Sequence, residues 1–537
     1  MPSVQNTPSA NSSSPQLQST ISSFTSLTDP IAINDALIVL NHALQGTNAS
    51  NVTGQILGSI PLSHFFQLLQ ADHGDDTEFM IERVCNVLEL ILKDQPFNSL
   101  IQDPFLSGAL LQSLNSPSPK IHALGLTQID KLSNADISIM RSTLESDIFK
   151  ATVEGIASEN ISIAERSKQS FLKICNTEER LAAIINFDAS FCLIRDLANS
   201  KNSVVRMRMI EALTGLAGRS PGFLDVLQKT DLLDSLKDGL SSEDILTRFN
   251  IIEILSEFGT TATGSDFLDQ AGILSRIAEV VENEADQDSL GVNAITKLYG
   301  KLGASGEVDF ISLDMKYRIL TQLEKLMVGD DDFEPEESLK VESMASFGLI
   351  GGNVHNIEWI SQSHCVQTFI DLLASLSRDL KVAWYHSLAQ ILACSQSPSV
   401  ETQNTVAELY NNFERPGQSP FIARLLVSAK SQTTELAMSA LAVMIPLARY
   451  SFGVQQIGSQ PDALTFLLDR NAESSHAQKV AKYEVIEAML KTVGEVKRTS
   501  NRALLTPEQI SRLELFHRQG PFYQRATATV AIQDIAA

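Results

Sequence analysis

The sequence predicts an all-α fold of stacked repeats, and three observations predict it. From about residue 60 onward Leu, Ile, Ala and Val recur at three- and four-residue spacing, the pattern of amphipathic helices. Gly and Pro number only 27 and 18 of 537 residues, and no β-branched alternation runs over five positions, so strands are not expected. The helical pattern itself also repeats. Apolar i,i+3 pairs mark the middle of successive helices: Val87/Leu90, Ile129/Leu132, Phe171/Ile174, Ile210/Leu213, Ile252/Leu255, Ile295/Leu298, Phe347/Ile350, Leu388/Ile391, Leu441/Met444 and Ile486/Met489. Their first members are 42, 42, 39, 42, 43, 52, 41, 53 and 45 residues apart. A period near 42 belongs to the armadillo/HEAT class. One such repeat cannot bury its own apolar stripe, so it stacks on its neighbours. The expectation is an armadillo/HEAT-like α-solenoid of about ten repeats over residues 29–537.

Taken in order, residues 1–28 contain nine Ser and four Thr with few large apolar groups. Such a segment buries too little to offset its ordering entropy and reads as a disordered tail. A helix is expected after Asp29, which can cap it, with Pro30 at its first position. Residues 46–58 read as a loop. The repeats follow. Residues 204–233 and 245–274 share one plan: a long helix, a Gly-containing turn, a Phe-Leu-Asp segment, and a new helix opening on Leu-Leu or Ile-Leu. The interval of 52 holds an acidic loop insert at 329–338, and the interval of 53 holds polar residues 396–403 and the 416–420 loop. Residues 500–525 are expected to cap the last repeat. There Gly520-Pro521 would break the final helix, Tyr483 would pack beneath it, and Phe522 and Tyr523 would cover the end of the core.

Lys and Arg total 41 against 64 Asp and Glu, a formal charge of −23 and a pI near 4.8. That balance argues against nucleic acid or an anionic membrane as partner, since both need basic surface, and favours a partly basic protein. Five scattered cysteines without a CxxC fit a reducing compartment rather than a disulfide framework. No signal-like start and no 18-residue apolar run is seen, so a cytoplasmic protein is expected, with the nucleus also open to it.

With each apolar pair facing the core, the positions one and five residues beyond its first member face away from it. They are Asp130 and Asn134, Glu211 and Gly215, Glu253 and Glu257, Thr296 and Gly300, and Glu487 and Lys491. If these helices line the concave side, as in armadillo stacking, Asp130, Asn134, Glu211, Glu253 and Glu257 form an acidic strip with Arg208 and Asn250 nearby. These seven residues are the candidate partner-binding face. A solvated helix face with no partner is the plain alternative for each of them. Trp359 and Trp384 fall outside the Trp/Asn ladder of nuclear-import adaptors, which disfavours binding of a localisation peptide.

No chemistry-bearing motif stands out. A P-loop, HExxH and GxSxG are absent. Gly300, Gly303 and Gly306 have the wrong spacing for a nucleotide fingerprint and read as a loop. His355, His364 and Cys365 read as ordinary surface and core residues rather than metal ligands. The run DDDFEPEE at 330–337 lacks calcium-loop spacing and reads as a solvated loop. No catalytic residue, cofactor or metal is expected.

Residues 119–134 (PKIHALGLTQIDKLSN), the repeat at 245–281, and a tail carrying AKYE at 481–484 and GPFY at 520–523 together resemble the proteasome non-ATPase regulatory subunit 5 family. The resemblance runs in order through most of residues 75–525. It implies a non-enzymatic chaperone for assembly of the base of the proteasome 19S regulatory particle. Such a protein would bind the C-terminal domain of the first base ATPase subunit, in a module with the second ATPase and the largest non-ATPase base subunit. It would leave before the 26S particle is complete, and would be a monomer by itself. The competing readings are a generic α-solenoid scaffold or transport/trafficking adaptor, and a regulatory scaffold of an enzyme such as a phosphatase.

Overall fold

The structure, a computed structural model, describes residues 15–523 except 47–48, 72–76, 284, 286–287, 331–332, 415–416, 471–474 and 501. Among the described residues there are 33 α-helices and no strand. The chain forms two compact units, residues 1–236 and 237–537. Each is an α-solenoid stack, as the sequence period predicts.

In the first unit the helices Pro30–Leu44, Thr77–Leu92, Pro119–Ile129, Ile161–Ile174 and Ser203–Ala217 pack side by side as a ladder. In the second the ladder runs through Ile245–Gly259, Ser289–Ala304, Glu337–Gly351, Arg378–Leu392, Thr434–Leu447 and His476–Thr499. Shorter helices complete each repeat, as Glu178–Ile185 and Asp188–Ala198 do after Ile161–Ile174. Nineteen of the twenty residues in the apolar pairs are buried, and Leu90 is half-buried. Burying each side chain of that size contributes roughly 1.5–3 kcal/mol, so the pairs form the spine of both cores. Pro30–Leu44 adds a ladder helix before the first pair, with Leu37 and Leu40 fully buried. Asp29 caps it through Ala32 N and Pro30 opens it, as expected.

Helix starts in the middle of the chain share one local device. Ser158, Ser200 and Ser242 each accept the backbone N–H two residues on, at 3.2 Å. The residues so held, Asn160, Asn202 and Asp244, then cap the next ladder helix with their side chains. An N-cap of this kind contributes about 1 kcal/mol. The Ser-x-Asn/Asp triplet recurs every 42 residues and fixes each helix start to the residue.

Several sequence expectations change. Residues 1–14 lie outside the described residues, but Pro15–Ser23 is a helix, and Leu17, Ile21 and Phe24 are buried in the N-terminal core. The tail reading of 1–28 therefore fails over 15–28, because three well-spaced apolar groups suffice to dock a helix onto a preformed face. Within residues 46–58, Ala49–Ser59 is a helix that buries Val52 and Ile56. Gly300 and Gly303 lie inside Ser289–Ala304 rather than in a loop. A Cβ on Gly300 would stand 3.0 Å from Ser346 Cα, and one on Gly303 would stand 2.9 Å from Ile350 Cβ, so these glycines let two ladder helices approach closely. In the interval of 53, the second half of the polar stretch 396–403 opens the helix Val400–Asn411.

The acidic insert is non-helical in its described part up to Glu336, with Glu337 opening the next ladder helix, and is pinned by Lys325–Asp330 at 2.8 Å and by the Lys340–Glu334 pair. At the C-terminus Pro507–Gln519 packs on the last ladder helix, and Tyr483 stacks on His517 with centroids 5.1 Å apart. The core end is covered by Leu504, Leu505, Leu513 and Phe516. Phe522 and Tyr523 are 49% and 43% exposed, so they are not the cover that the sequence suggested. Phe522 instead stacks on His476, with centroids 4.2 Å apart.

Candidate interaction face

The carbonyl ends of ladder helices lack intrahelical donors and carry the negative end of the helix dipole. In this chain the following repeat supplies those donors. Lys131 Nζ donates to Leu92 O and Gln95 O, and Arg180 donates to Leu132 O and Ala135 O. Asn176 reaches Ser133 O at 3.0 Å, and Arg219 reaches Leu172 O and Cys175 O. In the second unit Asn353 and Asn356 donate to Gly303 O, Tyr450 to Leu392 O and Thr492 to Ala448 O. These donors reach back 36–58 residues, about one repeat, so they tie each repeat to the one before.

Beside this seam lie the candidate face residues. Asp130 sits where Pro119–Ile129 passes into a 3₁₀ turn. It accepts from Arg166 at 2.8 Å, Ser170 at 2.7 Å and Lys173 at 2.6 Å, all on the next ladder helix. Burial alone would raise its pKa, but these donors outweigh burial and hold the carboxyl below the ordinary value. Arg208 donates to Ile156 O and Ser158 O, so it fixes the preceding turn. Glu211 pairs at 2.9 Å with Lys168, whose side chain is only 7% exposed and is also held by Glu165 at 2.8 Å. Burial would lower the lysine pKa, but the two carboxylates raise it above the ordinary value, so Lys168 is charged. Asn134 is exposed.

In the second unit Lys301 Nζ lies 2.6 Å from Glu257 and 3.8 Å from Glu253. Lys297 lies 4.0 Å from Glu342, whose pKa is raised by burial, with Glu253 adding and Lys297 opposing. Glu257 keeps 74% of its side chain exposed, and Asn250 is exposed as well.

The strip read as uniformly acidic is therefore a mixed ladder. In the first unit Asp130, Glu165 and Glu211 meet Arg166, Lys168 and Lys173, while Arg208 donates to backbone carbonyls. In the second, Glu253, Glu257 and Glu342 meet Lys297 and Lys301, leaving one acid in excess. Lys297 and Lys301 directly follow the wheel positions Thr296 and Gly300. The sequence did carry the signal, as acids and bases placed about one repeat apart: Lys173 after Asp130, Lys168 before Glu211, and Lys301 after Glu257.

The wheel positions Glu487 and Lys491 line an open cleft of about 880 Å³ on the last ladder helix. Glu484 and Glu495 join them there, with Arg449 and His517 opposite. Glu487 lies 3.7 Å from His517.

Elsewhere, His364 pairs with Glu324 at 2.6 Å, Cys365 is buried, and its thiol pKa is raised by that burial. No group of three or more His, Cys, Asp or Glu suited to a metal ion occurs among the described residues. Trp384 is fully buried, stacked on Phe369 with centroids 4.9 Å apart, and so belongs to the core.

The stack is similar to yeast importin-beta (Kap95p), with a TM-score of 0.56 over 90% of this chain and 58% of that one, at 12% identity. That likeness describes the fold. Sequence relatives are more specific. The 26S proteasome non-ATPase regulatory subunit 5 of Bos taurus is 23% identical over 514 residues, covering 93% of this chain and 96% of its own length. The Homo sapiens protein of that name has the same identity and coverage, and the Mus musculus one is 24% identical over 88% of this chain and 90% of its own. The profile described as "Proteasome non-ATPase 26S subunit" matches residues 16–537, from the docked N-terminal helix through the capped last repeat, and the chain belongs to that family.

Proposed function

We propose that this protein is a non-enzymatic chaperone for assembly of the base of the proteasome 19S regulatory particle. The observation that carries this reading is the end-to-end match to subunits named proteasome non-ATPase regulatory subunit 5. In this reading it binds the C-terminal domain of the first base ATPase subunit. The second ATPase and the largest non-ATPase base subunit join the module, and the chaperone leaves before the 26S particle is complete. It works in the cytoplasm, or the nucleus, as a monomer until it meets its client.

The chemistry of the ladder face supports a reversible contact. Glu257 and Asn250 present exposed polar groups beside half-buried Glu253, and Glu484, Glu487 and Glu495 line the terminal cleft. Carboxylates in water-accessible pairs steer a basic partner and raise its on-rate more than its affinity, which suits a contact that must be released. In the first unit Asp130, Arg208 and Glu211 act mainly through their internal partners.

Calorimetry with the full chain and isolated C-terminal domains of each base ATPase tests the reading. Binding to one of them, with none to assembled 26S particles, is the expected result. Binding to none would bring the scaffold or adaptor reading forward. Glu253→Gln, Glu257→Gln and Glu487→Gln combined are expected to weaken binding about tenfold and to flatten its salt dependence. Unchanged affinity and slope in the folded variant would move the contact elsewhere on the chain.

A further inference from the structure

A second cleft, of about 410 Å³, lies on the other side of the last ladder helix. At 100° per residue, Lys482 points well away from Glu484, Glu487 and Lys491, so this cleft is separate from the one above. Its floor is the ring of Phe466, on the helix Pro461–Leu468. Lys482 Nζ stands 3.9 Å from the ring centroid and Lys430 Nζ stands 5.9 Å from it. Asp462, Asp469 and Gln478 complete the charged and polar lining.

Lys482 is the unusual group. It is 2% exposed, yet its ammonium makes one long hydrogen bond, to Asp469 O at 3.5 Å, besides the ring contact. An ammonium has three donors, and a buried one without acceptors is costly. Burial lowers its pKa from the ordinary lysine value, with Asp469 opposing and Lys479 and Lys430 adding to the fall. Nothing in the packing of the repeat needs a charge there, since a methionine would fill the same volume against Phe466. Lys482 lies within the AKYE motif, whose Tyr483 is already accounted for by its stack on His517.

We propose that this cleft binds a carboxylate-bearing peptide segment of a partner protein, with Lys482 and Lys430 holding the carboxylate above Phe466. The occupant follows from the charges. Two ammoniums and two carboxylates share the cleft, which suits a single negative charge and disfavours a dianionic phosphate. The net charge of −23 disfavours a polyanion such as nucleic acid. Phe466 offers an apolar face to the residue beside the carboxylate, and Gln432 and Gln478 offer amide groups to a peptide backbone. The carboxylate supplies the acceptors that Lys482 lacks, in a charge-assisted bond.

The test uses the full chain and a fluorescein-labelled, end-capped peptide with one glutamate flanked by leucines and otherwise uncharged, followed by anisotropy. The glutamate peptide is expected to bind at least about tenfold more tightly than its glutamine counterpart. Lys482→Met is expected to weaken binding by about tenfold or more while the melting temperature stays level or rises, since a buried charge has been removed. Lys430→Gln, at an exposed position, is expected to cost about threefold. If Lys482→Met fails to fold, Lys430→Gln decides alone, and unchanged binding in that variant overturns the proposal. Equal binding of the two peptides also overturns it, as does no binding of either. Displacement of the peptide by inorganic phosphate at lower concentration than by free glutamate peptide would make this a phosphate site and end the peptide assignment.

Discussion

Asp130 sets the pattern for charged residues in this protein. It faces away from the core, yet three donors from the next ladder helix converge on it. Its pKa lies below the ordinary value, so the folded state binds fewer protons than the unfolded one near that pKa. The stability it contributes is present above the unfolded pKa and is lost as pH falls through the lowered folded value. Asp130→Asn is therefore expected to destabilise the chain by about 2 kcal/mol at neutral pH. In urea titrations the gap from wild type should close as the pH falls below the carboxylate range. A gap that stays constant with pH would show that the loss comes from packing rather than from the charge.

At the scale of the element, the ends of helices decide most. Three ladder helices in the middle of the chain begin on a capping Asn or Asp held by a Ser two residues earlier, and several end under donors from the following repeat. Among the described residues no further ladder helix follows His476–Thr499, and Pro507–Gln519 packs against it. Its Phe516 is 5% exposed, with the Arg470 guanidinium 3.7 Å above its ring. Arg470 also donates to Phe516 O and Gly520 O, closing the chain over the last core layer. Phe516→Ala is expected to cost about 3–5 kcal/mol, as deletion of a buried aromatic does. Phe522→Ala, at a half-exposed position, is expected to cost under about 1 kcal/mol. Thermal denaturation of the two variants side by side checks this. A larger loss from Phe522→Ala would return the capping role to the GPFY segment.

For the molecule as a whole, each repeat contacts mainly its neighbours, so stability is close to a sum of repeat and interface terms. Such arrays need not unfold as one unit. Both tryptophans, Trp359 and Trp384, lie in the second unit, whereas helices fill both. Tryptophan fluorescence therefore reports on the second unit, and far-UV circular dichroism on the entire chain. Urea midpoints from the two signals are expected to differ. Coincident midpoints would show a single cooperative transition across the array.

The sequence by itself determined the fold class, the repeat period and the spine of paired core positions. The reason is that an apolar i,i+3 pair can be satisfied only by burial, whatever its neighbours are. Asp29-Pro30 likewise fixed a helix start, because a cap and its first residue interact locally. The charge on the ladder face was not legible in the same way. Whether Glu211 is bare or paired depends on Lys168, 43 residues away in sequence and brought beside it only by stacking. The helicity of Gly300 and Gly303 was hidden for a similar reason, since glycine favours turns in isolation and is tolerated here because Ser346 and Ile350 need the space. Lys482 could not be told from a surface lysine until Phe466 and Lys430 closed around it. Local patterns settle what a residue prefers, and tertiary structure alone settles which distant partner meets it.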